Sequence, residues 1–277
     1  MKHYQVLFIF LASLCIVSCK TNYYQVYEVK SPELSQKDNS MVFENEDCKV
    51  SYNLWALNGS MAFIFENKTN KDIFIDMTQT FFIKNGAAND YFKNRTYETR
   101  TFDALSLGYS VSKTYIGIDG YWPSQYAVPL FASAKAMAKA QAGISAAVTV
   151  KESEYVCVPA RSYKVLNYYN IYPSFEKTCD NKKDYPKNEA TIKMYDEHNS
   201  PLKFKNKIAY SFQKSNSSLT HIENTFWLST IKNYSKKGAI EKRKVQEGCG
   251  DINVHKREFF KIGGPNQFYT NYLGMQK

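Results

Sequence analysis

The sequence points to a mainly β protein, an antiparallel sandwich of the immunoglobulin-like type with one short Ala-rich helix inserted. Short runs of Phe, Ile, Val and Tyr recur at roughly 8–12-residue spacing, and Asn-Gly or Asn-rich turns separate them. Aromatic residues make up 16% and apolar residues 44% of 277 positions, enough to build a core without staples and too much for wholesale disorder. A mean hydropathy of −0.47 excludes a polytopic membrane protein, and no internal repeat occurs.

The chain opens with Met1-Lys2-His3 and then a 12-residue apolar run over 6–17, which has the layout of an export signal and is too short for a comfortable membrane span. It ends at Ile16-Val17-Ser18-Cys19, which resembles a bacterial lipobox: aliphatic residues, a small residue, then the cysteine whose sulfur takes a diacylglycerol. Residues 1–18 are therefore expected to be a lipoprotein signal peptide, with Cys19 the lipidated first residue of the mature chain. Cys15 follows the larger Leu14 and leaves with the signal. Residues 19–41 are polar with little periodicity and read as a tether, although YYQVYEV could add a short strand. In Bacteroidetes lipoproteins, which this N-terminus resembles, an acidic run after the cysteine marks export to the cell surface. None follows Cys19, so the expected location is the periplasmic face of the outer membrane.

Residues 42–277 read as the β-rich domain, with a division into two packed subdomains near 167–190 as the alternative. Cys48–Trp55 precedes the turn signal Asn58-Gly59, and Ser60–Phe65 precedes the Asn-rich turn 67–71. Asp72–Asp76 and Phe81–Ile83 then lead to Asn85-Gly86. Ile208, Tyr210 and Phe212 alternate with Ala209, Ser211 and Gln213 as in a half-buried strand, and 225–231 and 258–262 add further strands. An insertion of about 98–150 breaks the pattern. Its residues 131–142 (FASAKAMAKAQA) are strong helix formers closed by Gly143, and predict a surface helix of about three turns. Ahead of that helix, Tyr121, Trp122 and Tyr126 lie in a Gly/Ser/Tyr-rich loop whose composition suits a binding platform for a sugar ring or a peptide.

The net charge of +10 comes from 36 basic and 26 acidic residues, and only five of the basic ones are arginine. Nucleic-acid readers use Arg for bidentate contacts to guanine and phosphate, so this lysine-borne surplus argues against that class. The excess is confined to residues 151–277, which makes that half a candidate contact for an anionic surface.

Setting aside Cys15, lost with the signal, and the lipidated Cys19 leaves four cysteines. Cys179 and Cys249 sit in polar, turn-like surroundings and are the first candidates for a disulfide in an exported protein, whereas Cys157 is expected to be a strand cysteine, free or joined to Cys48. His198, His221 and His255 are scattered, and no GxSxG, HExxH, phosphate-binding loop or CxxC pattern occurs, so no catalytic residue, metal site or cofactor is assigned. Segments 65–95, 155–166 (YVCVPARSYKVL), 200–211 (SPLKFKNKIAYS) and 222–234 (IENTFWLSTIKNY) resemble a group of uncharacterised Bacteroides-type lipoproteins. Val158-Pro159-Ala160 departs from the isoleucine-proline-proline those proteins often carry. The resemblance implies a β-rich envelope lipoprotein and brings no functional residue beyond the lipobox cysteine. The expected function is a lipid-anchored binding or structural module, meeting the membrane through its lipid and an envelope protein or glycan through its surface. The alternatives are an envelope-assembly partner contacting anionic surfaces through 151–277, or a hydrolase without a recognisable motif.

Overall fold

Alternating burial along short strands organises the computed structural model, which describes residues 20–101, 146–175, 182–214, 218–247 and 253–275. The first half supplies β1 (Lys20–Lys30), β2 (Ser35–Lys37), β3 (Ser40–Glu44), β4 (Cys48–Tyr52), β5 (Phe63–Asn67), β6 (Ile73–Lys84), β7 (Ala87–Asp90) and β8 (Thr96–Thr101). Then come β9 (Ala146–Lys151), β10 (Tyr155–Val158), β11 (Tyr163–Leu166), β12 (Glu189–Met194) and β13 (Lys203–Ser211). The last part adds β14 (Thr220–Ser235), a single helical turn α1 (Lys236–Ala239), β15 (Ile240–Glu247), β16 (Asn253–Phe260) and β17 (Gln267–Met275).

The protein is mainly β, and its strand ladders are antiparallel. The larger sheet runs β10-β6-β13-β14-β1-β17, with β12 beside β14 and β7 beside β6; the smaller runs β11-β5-β4-β3-β2. Two further hairpins, β8–β9 and β15–β16, stand outside these sheets. Asn85 (φ 47°) and Gly86 (φ 85°) both take the left-handed conformation in the tight turn joining β6 to β7, as the Asn-Gly pair implies. At Gly59 (φ 73°) the requirement is close approach as well, since a Cβ there would stand 2.7 Å from Ile171 Cδ1.

One core lies between the sheets. Val50, Tyr52, Phe63 and Phe65 of the smaller sheet pack among Ile73, Ile75, Phe204, Ile208, Tyr210 and Phe226 of the larger. Tyr52 meets Phe226 edge-on with centroids 5.4 Å apart, Phe65 meets Tyr210 at 5.7 Å, and Phe204 stacks on Phe226 at 5.0 Å. A polar chain crosses this apolar layer. Tyr91 Oη donates to Asn206 Oδ1 (2.9 Å), Asn206 Nδ2 donates to Tyr52 Oη (3.1 Å), and Tyr52 Oη donates to Asn224 Oδ1 (2.8 Å).

The structure corrects the tether expected over 19–41. Residues 20–30 form β1, paired with β14 on one side and β17 on the other, and 35–37 and 40–44 form β2 and β3. The physical reason is burial on both faces. Tyr27 and Val29 enter the main core, while Val26 enters a second cluster with Trp55, Tyr234 and Ala239, so no simple alternation marks the strand. The alternative division near 167–190 does not separate two sheets either, because β6 pairs with β13 and β1 with β14 across it. Over 208–213 the half-buried alternation also fails. The irregular pairing of β6 and β13 brings the Thr80 hydroxyl to the Ala209 amide (3.2 Å), and Ala209 and Ser211 are as enclosed as Ile208 and Tyr210. The insertion leaves and returns through paired strands, β8 and β9, whereas the helix expected at 131–142 lies outside the described residues.

Candidate functional site

The region with the most concentrated chemistry is the end of the larger sheet where β1 begins, together with a pocket beside it. β1 aligns Tyr23, Gln25 and Tyr27 on one face; β17 and β14 bring Thr270, Tyr272, Asn233 and Ser235 to the same face, because Tyr23 pairs with Tyr272 and Ser235, and Gln25 with Thr270 and Asn233. The segment 182–188 lies across this face. The Lys182 carbonyl accepts from both Gln25 Nε2 (3.0 Å) and Asn233 Nδ2 (3.1 Å). Ser235 Oγ donates to the Lys187 carbonyl (2.7 Å), and Tyr272 Oη donates to the Asp184 carbonyl. Tyr185 closes the arrangement, its ring 5.3 Å from that of Tyr23 and pressed against Gly274.

Between this clamp and the turn at Asn58 opens a polar pocket of about 200 Å³. Gln25, Tyr27 and Thr270 line it, with Asn58, Tyr172 and Lys183. Tyr27 Oη donates to Gln25 Oε1 (2.7 Å) and lies 3.3 Å from Thr270 Oγ1. Burial pushes the Tyr27 phenol up to about 12, partly offset by the Thr270 contact, and burial likewise raises the Tyr272 phenol. Both therefore stay neutral at physiological pH and act as hydrogen-bonding groups, not as acids or bases. The pocket can hold one small, hydroxyl-rich or amide-bearing group against the Tyr172 ring, which is 55% exposed.

Around the same end stand lysines. Lys183 Nζ lies 5.7 Å from the centroid of the Tyr272 ring, Lys236 pairs with Glu258 at 2.9 Å, and Lys182 pairs with Asp184 at 3.3 Å. Lys187 and Lys237 are exposed.

Most residues singled out from the sequence fall elsewhere. Cys19, the aromatic trio Tyr121, Trp122 and Tyr126, and the cysteine pair Cys179 and Cys249 all lie outside the described residues. Cys48 and Cys157 are described, and both are free thiols, which settles that pair against a mutual disulfide. Burial, with the Asp47 carboxylate next, pushes the Cys48 thiol up to about 12, so it is no nucleophile. His198 and His221 are not brought together. The His198 carbonyl accepts from Lys203 at one end of β13, and His221 pairs opposite Ala209 near the other. Asp76, fully buried within β6, accepts from the amide and hydroxyl of Thr78, and Asp196 is a turn residue that accepts from the amides of His198 and Asn199. Among the described residues no three His, Cys, Asp or Glu side chains are grouped to hold a metal ion. The pocket went unseen in the sequence because Gln25, Tyr172 and Thr270 carry no motif; only the assembled sheet brings them together.

Comparison with protein-family models, with curated proteins and with solved structures finds no match for this chain. Fold and site together define an antiparallel β protein with a small polar pocket beside a lysine-rich sheet end.

Proposed function

We propose that the chain is a lipid-anchored bacterial envelope lipoprotein, held at the periplasmic face of the outer membrane through Cys19, whose β domain is a binding or structural module. The observation that carries this reading is Ile16-Val17-Ser18-Cys19 at the end of a short apolar run. The resemblance to Bacteroides-type lipoproteins supports the same assignment. The β domain is, in this reading, a sandwich of the immunoglobulin-like type, and two antiparallel sheets around one core support it. A disulfide between Cys179 and Cys249 belongs to the proposal, since an exported compartment permits it.

The binding role is supported by the polar pocket, whose amides, hydroxyls and ring suit a glycan residue or a polar side chain of an envelope protein. The aromatic loop Tyr121, Trp122 and Tyr126 is the second candidate contact. Burial keeps the Tyr27 phenol protonated, so in this reading it contacts the bound group by hydrogen bonding, with Lys183 at the pocket's edge as the cation.

Metabolic labelling with a palmitate analogue tests the anchor. The wild-type protein is expected to take the label and Cys19→Ala to lose it; equal labelling of the two refutes the lipoprotein reading.

A further inference from the structure

We infer that the end of the sandwich at which β1 begins rests on an anionic phospholipid bilayer, so that the lipid on Cys19 and a basic protein face meet the same surface. The inference rests on the lipoprotein reading and adds which face of the domain turns to the membrane.

The first observation is the absence of slack. β1 starts at Lys20, directly after the cysteine, and is fixed between β14 and β17 from Tyr23 onward. A strand rises about 3.3 Å per residue, so the level of Thr21–Tyr23 stands within about 15 Å of the lipidated residue. A long tether would let the domain tumble; a strand locked in a sheet fixes which end faces the lipid.

The second observation is what occupies that level. Leu273, opposite Asn22, is 58% exposed, and Tyr185, packed on Tyr23 and Gly274, is 56% exposed. Leu273 on one face of the sheet and Tyr185 on the other stand at the same level, which suits the boundary between headgroups and acyl chains, where an apolar body and a polar tip are both satisfied. Lys183 lies over Tyr272, Lys187 is tied by its carbonyl to Ser235, and Lys236 and Lys237 follow Ser235 directly. With Lys182 these make five lysines, against the carboxylates of Asp184, Glu189 and Glu258.

The third observation is distance. At the opposite end, where Tyr210 donates to Asp47 (2.8 Å) and pairs with Thr220 at the start of β14, the acidic turn Glu44–Asp47 is offset by lysines, since Glu44 pairs with Lys37 at 3.3 Å and Lys68 at 2.8 Å. β14 runs 16 residues from there to Ser235, so the two ends are separated by roughly 40–50 Å. At that separation, several Debye lengths at physiological salt, the charges of the far end do not act on a leaflet beneath the lysines.

The test uses the chain from residue 19 carrying Cys19→Ala, which keeps every described strand and takes no lipid. It is sedimented with vesicles of phosphatidylglycerol and phosphatidylethanolamine, and separately with phosphatidylcholine vesicles. Binding is expected to the anionic vesicles only, and to be lost at about 0.5 M salt. Each lysine near such a surface contributes about fivefold, so the combined variant Lys183→Gln, Lys187→Gln, Lys237→Gln is expected to bind on the order of 100-fold more weakly. A matched variant at the far end, Lys71→Gln, Lys164→Gln, Lys214→Gln, all three exposed, is expected to bind like the parent. Circular dichroism melting checks that both variants keep the fold. Absence of binding to anionic vesicles, equal binding to neutral ones, or loss only in the far-end variant overturns the inference. Because no lipid is on the protein, this outcome is independent of labelling at Cys19: labelling with no vesicle binding leaves the anchor standing and removes the face.

Discussion

Tyr52 joins the two sheets through one oxygen atom. Its hydroxyl donates to Asn224 in β14 and accepts from Asn206 in β13, both fully buried. Asn224 Nδ2 already lacks a partner there, so the site has no spare hydrogen bonds. Tyr52→Phe removes the shared atom without changing the ring, and strands one donor and one acceptor in the core. The expected cost is about 2–3 kcal/mol, read as a lower urea midpoint at unchanged m-value. A loss below about 0.5 kcal/mol shows that the chain contributes little. Glu152 is the second decisive residue. Its carboxylate accepts from the amides of Lys93 (3.0 Å) and Arg95 (2.9 Å), from Arg95 Nε (3.2 Å) and from Arg95 Nη2, which ties the root of the β8–β9 hairpin. The Arg95 hydrogen bonds, working against partial burial, hold it down to about 2 from an ordinary 4.5. The folded value is the lower one, so the stabilisation is complete above about pH 4.5 and is lost as pH falls toward 2. Arg95 is one-third exposed and partly screened by solvent, which leaves about 1–2 kcal/mol. Wild type is expected to exceed Glu152→Gln by that amount at pH 6, with the gap closing by pH 2 in denaturant titrations. A gap that does not change with pH contradicts the carboxylate's role.

β1 shows best why the pattern of a strand and its place in a sheet are separate matters. Asn-Gly turns and the apolar runs in β4, β5, β6 and β14 were legible because each signal is local: a φ requirement, or side chains repeating toward one core. β1 has two cores to fill. Val26 faces Trp55 and Tyr234, Tyr27 stacks on Phe268 with centroids 4.9 Å apart, and the buried Gln25 amide is satisfied by the Tyr27 hydroxyl at its oxygen and by the Lys182 carbonyl at its nitrogen. Nothing local announces a glutamine that is satisfied by a residue 157 positions away. Val26→Asp separates the two descriptions of this segment. In a tether it would change stability by less than about 0.5 kcal/mol; in β1 it buries an unpaired carboxylate and is expected to cost at least about 3 kcal/mol. A thermal melt of the variant against the parent decides between them.

At the scale of the whole molecule, part of the lysine excess is gathered at one end of the larger sheet. Lysines of the second half, among them Lys183, Lys187, Lys236 and Lys237, converge on the end where the chain enters the sheet, although they lie more than 160 residues from Lys20 in sequence. The vesicle experiment belongs to this scale, because it reads the orientation of the domain and not the strength of any one contact.

Composition and local pattern were enough for the mainly β character and for the turns at Asn58-Gly59 and Asn85-Gly86, since each depends on residues within a few positions of one another; the proposed anchor rests on a signal of the same local kind. The pairing of β1 between β14 and β17, the pocket of Gln25, Tyr27 and Thr270, and the gathering of lysines at one end were settled only by the folded chain. They join residues more than a hundred positions apart, and long-range pairing follows from which faces must be buried together, a condition no short stretch of sequence carries.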